Sequence, residues 1–145
     1  MYLASENGHM TAEDRFKLFG VYLSRPVYEA LDDYVYEEAG VVDLDEYFDE
    51  TASSVPTGDP GAEATDELVS DLVAEFAALY DEADFEAATA VDPDGFVLTH
   101  LAAKPTRVAA LRERFEAATT IRETDLRTAH TAILAAFLSA DPLER

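Results

Sequence analysis

His100 and His130 are the first residues to weigh, because imidazole both binds metals and titrates near neutral pH. Joined by carboxylates they would ligate a metal. Taken singly, one reads as a surface residue and the other as a satisfied boundary residue. His130 lies four positions after Leu126, on the fringe of an apolar stripe, which suits the second role. Asp92, Asp94 and Gly95 look like part of a calcium loop, but the EF-hand pattern needs a further acid and then a glycine where Phe96 and Val97 stand. The acid pairs Asp32/Asp33 and Glu37/Glu38 would do proton transfer only if buried together. Neighbours on a helix diverge by about 100°, so these pairs read as a solvated face. No phosphate loop, nucleophile elbow or metalloprotease helix occurs. No catalytic residue, metal or cofactor is therefore expected, and the chain reads as a non-enzyme.

The remaining charged chemistry is basic and sits late in the chain: Lys104, Arg107, Arg112, Arg114, Arg122 and Arg127. These are the expected partner- or DNA-binding residues. Arg107 and Arg114, seven apart, share one face of their helix. The bland alternative is that all six pair with the acidic body. That body is unusual. Between Pro26 and Ala103 there is no lysine or arginine, yet 22 of the chain's 31 acids lie there. A surface so acidic repels phosphate backbones and anionic lipid, and holds water and cations instead.

A net charge of −21, almost no lysine and a single asparagine fit a protein of an extreme halophile, whose cytoplasm is concentrated salt. Above 1 M salt the Debye length is about 3 Å, so like charges cease to repel and remain as hydration sites. Absence of cysteine excludes disulfides and thiolate catalysis. No apolar run approaches the roughly 20 residues that span a bilayer, and the start lacks the pattern of a signal peptide. No membrane contact and a cytoplasmic location are expected. Residues 1–10 read as an extension or tag remnant, 11–103 as an acidic domain, and 104–145 as a C-terminal helical pair.

The elements that would position these residues are mainly helical. Phe16, Phe19 and Leu23 predict a helix over 12–23. Val27, Ala30, Leu31, Tyr34 and Val35 predict a second, opened by Pro26 and stopped by Gly40. Val41-Val42 reads as a short extended piece, and Asp43 with Glu46 caps a short helix burying Leu44, Tyr47 and Phe48. Residues 53–62 read as a mobile loop. Thr65 then caps a long helix lined by Val69, Leu72, Val73, Phe76 and Tyr80. Residues 87–99 predict a small hairpin around Asp92-Pro93-Asp94-Gly95. Helices near 105–118 and 124–140 follow.

That order, with Leu18-Phe19-Gly20-Val21-Tyr22-Leu23-Ser24-Arg25-Pro26 and Gly40-Val41-Val42-Asp43-Leu44-Asp45-Glu46, resembles haloarchaeal winged helix-turn-helix regulators of the ArsR-like kind over roughly residues 15–100. The resemblance implies a winged-helix-like domain with one small β-hairpin, followed by a C-terminal helical hairpin, and a role in transcription regulation. The helix in the recognition position offers Asp66, Glu67, Asp71, Glu75, Asp81 and Glu82, with no arginine, lysine, asparagine or glutamine to read a base. The expected function is therefore a non-enzymatic regulator acting through a protein partner or homodimer, with any nucleic-acid contact made away from the 65–82 helix. One alternative is a helical adaptor, since Arg15 to Leu31 and Leu72 to Tyr80 are similar to segments of redox-enzyme assembly chaperones. The other is an acidic DNA mimic.

Overall fold

The computed structural model describes residues 15–41, 54–56 and 58–143. Its central element is β1 (Arg15–Ser24), a ten-residue strand in place of the expected first helix. The correction has a physical cause. Phe19, Val21 and Leu23 alternate with Leu18, Gly20 and Tyr22, so period two is written over the same residues that suggested period 3.6. Phe19, Val21 and Leu23 are buried, whereas Tyr22 is 40% exposed. Pairing settled which period prevails: β1 lies between β2 (Ser54–Pro56) and β3 (Phe96–Ala103), antiparallel to both. Phe19 stands opposite Leu101, and Val21 opposite Thr99.

The expected hairpin at 87–99 is likewise corrected. Its first arm is a short helix, α3 (Phe85–Thr89), followed by a single 3-10 turn over Pro93–Gly95. Its second arm is β3, whose partner is β1 and not a neighbouring stretch of chain. The sequence signal for extended structure was sound; the neighbour was not local.

Helices cover the sheet. α1 (Arg25–Ala39) buries Val27, Leu31 and Val35, and ends at Gly40, whose φ of 72° is the left-handed cap that glycine adopts without strain. α2 (Pro60–Glu82) starts earlier than expected: Asp59 caps it by accepting the Ala62 N–H, so Thr65 lies inside the helix. The segment read as loop 53–62 thus holds β2 and the first residues of α2. α4 (Pro105–Arg122) and α5 (Leu126–Leu138), expected as a C-terminal pair, bury Leu111, Phe115, Ile133 and Leu134 in the same apolar cluster as Leu23, Leu31 and Leu72. The expected short helix at 43–48 lies outside the described residues.

Displaced from capping, Thr65 serves the sheet. Its hydroxyl accepts the Ala102 N–H and lies 2.8 Å from the Ala102 carbonyl, taking up both backbone groups of that residue on the outer edge of β3. α5 does the same for β1 where β2 stops: Tyr22 N–H donates to His130 Nδ1, Ser24 N–H donates to Thr131 Oγ1, and that hydroxyl donates to the Tyr22 carbonyl. Open strand edges invite pairing with other chains, and here side chains take up the backbone groups at Tyr22, Ser24 and Ala102. Thr65→Val is expected to cost about 2 kcal/mol, since it strands the buried amide and carbonyl of Ala102. Thr99→Val removes a buried hydroxyl that has no hydrogen-bond partner among the described residues, and should be neutral or mildly stabilising. Urea unfolding of both variants checks this pair of opposite expectations.

Candidate functional site

The six basic residues expected to bind a partner or DNA differ in their surroundings. Five are engaged with the body of the protein. Arg107 lies on α4 against Asp66 of α2, and that carboxylate also accepts the Lys104 N–H at 2.9 Å. Asp66, expected in solvent, is 7% exposed. Together Thr65 and Asp66 tie the end of β3 and the start of α4 to one helix. Arg112 stands over the Phe19 ring at 5.4 Å, and Arg122 over Phe85 at 4.4 Å and Tyr80 at 5.2 Å. Arg127 covers Phe96 at 5.1 Å and pairs with Asp125. In four of the five, a guanidinium's flat face or fork explains why arginine and not lysine was used; Lys104, the fifth, contributes its backbone, and its side chain is exposed.

Arg114 differs. Its Nε lies 3.4 Å from the Val73 carbonyl, and among the described residues it makes no ion pair. It flanks a groove of ≈ 450 Å³ between α2 and α4. The two helices run side by side in the same direction, since Asp66 meets Arg107, Phe76 meets Phe115, and Tyr80 meets Arg122. Small residues at their junction leave the groove: Ala74, Ala77 and Ala117 are exposed along it, and Ile121 stands at its edge 68% exposed. Asp81 lies on the α2 side. An apolar opening with one arginine and one carboxylate can bind an apolar side chain and orient it by charge.

The histidines are not brought together as a metal site, and among the described residues no three His, Asp or Glu side chains form a group able to hold a metal. His100 is half-buried on β3 opposite Gly20, where a Cβ would sit 3.6 Å from its Nε2. His130 is 3% exposed, with its ring 4.6 Å from Phe115 and 6.3 Å from Tyr22. An Nδ1 that accepts a backbone N–H requires the neutral ring. Burial pushes its pKa down from the usual 6.5 to about 4. Asp92 is occupied in accepting the Asp94 N–H.

The groove was missed in the sequence because its signal is an absence: exposed alanines at 74, 77 and 117 carry no charge and no motif. Only Ile121, an aliphatic residue off the Val108, Leu111 and Phe115 stripe, could have pointed to it. No protein family, no curated protein and no solved structure matches the chain.

Proposed function

We propose that the protein is a non-enzymatic regulatory protein of a halophilic archaeon that acts in the cytoplasm by binding a protein chain in the α2–α4 groove. The observation that carries this reading is the exposed Ile121 beside an alanine-floored groove with Arg114 at its rim. A concave, alanine-lined opening with an isoleucine at its edge can seat an apolar side chain of a partner, and the polar groups at its rim can orient it. DNA contact through α2 is disfavoured, since its exposed charges are Glu63, Glu67, Glu75, Asp81 and Glu82. The winged-helix resemblance contributes the regulatory class and no docking geometry, because β1 occupies the place of its first helix and the wing hairpin is replaced by α3 and β3. An adaptor or assembly chaperone would use the same groove, whereas a DNA mimic would use the acidic face.

Ile121→Ser should abolish capture of the native partner in host extract at high salt, while Asp71→Lys with Glu75→Lys should leave it intact. The reverse pattern would move the working surface to the acidic face. Halophily has its own check. In about 3 M KCl the charges of the acidic body are screened within one atomic contact, so the melting temperature should rise by about 10 °C or more above that at low salt, equivalent to a few kcal/mol. Circular dichroism reads this, and a melting temperature that does not change with salt would remove the halophilic reading.

A further inference from the structure

We infer that the occupant of the groove is a second copy of this chain, packed about a two-fold axis so that Asp81 of each copy meets Arg114 of the other; the inference rests on the reading of the groove as the working surface. Three observations on one face lead to it. The first is shape. A two-fold interface needs the same patch to supply both knob and hole. Here Ile121 is the knob and the channel between Ala74, Ala77 and Ala117 is the hole.

The second is charge. Arg114 is level with Val73, to whose carbonyl it reaches, whereas Asp81 lies about two turns further along the parallel neighbour helix. The groove therefore carries opposite charges on opposite helices at opposite ends. An axis that exchanges the two ends places each acid on the other copy's arginine, twice. The third is that neither Asp81 nor Arg114 has an ion-pair partner among the described residues, so both are free to make that contact. An acidic foreign partner would face Asp81 and the acidic body, and a basic one would face Arg114. The patch complements itself better than either.

Each copy brings a net charge of −21, so association depends on salt as well as on contact. Sedimentation velocity should show a dimer in about 3 M KCl and a monomer in about 0.1 M KCl, as the Debye length grows from below 3 Å to about 10 Å. In high salt, Arg114→Asp and Asp81→Arg should each weaken dimerisation at least about tenfold, and combining them should restore it, because the pair is re-formed with its signs exchanged. Ile121→Ser should give monomer at unchanged circular dichroism. A dimer indifferent to all three single changes would overturn the inference, as would a double variant no better than the singles. A wild-type monomer in molar salt would overturn it too. In that case a photocrosslinker at position 121 in host cells separates the two readings: an adduct with a different protein leaves the groove as a working surface, and no adduct at all removes both.

Discussion

Arg107→Glu is expected to destabilise the fold by about 3 kcal/mol or more. The carboxylate of Asp66 is nearly inaccessible and has two partners, the Arg107 guanidinium and the Lys104 N–H. Removing one partner of a buried pair costs about 3–5 kcal/mol, because the remaining charge is left dehydrated and unpaired. The Arg107 side chain is 35% exposed, which argues for the lower end of that range. Glutamate adds a like charge beside Asp66. Along the sequence Arg107 and Arg114, seven apart on one face of their helix, look alike. The structure separates them. Arg114→Glu should leave the stability of the monomer within about 0.5 kcal/mol, as for a surface substitution away from special features. Urea midpoints measured in high salt test the contrast, and equal midpoints for the two variants would remove the structural role given to Arg107.

The second large effect is acid sensitivity through His130. Its pKa is near 4 in the folded protein and about 6.5 when unfolded. Above pH 6.5 the ring is neutral in both states and pH has no influence through it. Between pH 6.5 and 4 the unfolded chain binds a proton that the folded chain refuses, so stability falls as pH falls. Below 4 both states are protonated and the loss is complete, at roughly 3 kcal/mol. Protonation also removes the acceptor for the Tyr22 N–H, so the edge of β1 opens where α5 had closed it. The many carboxylates titrate in the same range and must be subtracted. Comparison with His130→Asn does this, since an amide oxygen can accept the same N–H and does not titrate. The stability gap between wild type and variant should narrow by roughly 3 kcal/mol from pH 7 to pH 4; parallel curves would mean that the ring is not held neutral by burial.

Much of the helical frame was legible. α1 carries its stripe of Val27, Leu31 and Val35 between a proline in its first turn and Gly40 at its end, and α4 and α5 follow from Val108, Leu111, Phe115, Ile133 and Leu134. These features are local: helical periodicity and caps act within a few residues of themselves. The acidic body was also fixed by composition, since no packing removes charge from Pro26 to Ala103.

Tertiary structure alone decided the rest. Whether Arg15–Ser24 is helix or strand depends on β3, which arrives only after α1 and α2, so no window around β1 contains the deciding information. The fate of four arginines turned on which aromatic ring or carboxylate the fold brought beneath them: Phe19 for Arg112, Phe85 for Arg122, Phe96 for Arg127, Asp66 for Arg107. Thr65 and His130 look like a cap and a fringe residue in the sequence, and become edge partners of strands because the fold lays α2 and α5 beside unpaired backbone. The groove arose in the same way, from alanines that are silent along one helix and leave space only where two helices meet. Periodicity and charge belong to the chain; pairing, burial and vacancy belong to the arrangement, because each requires a second surface that the local sequence does not contain.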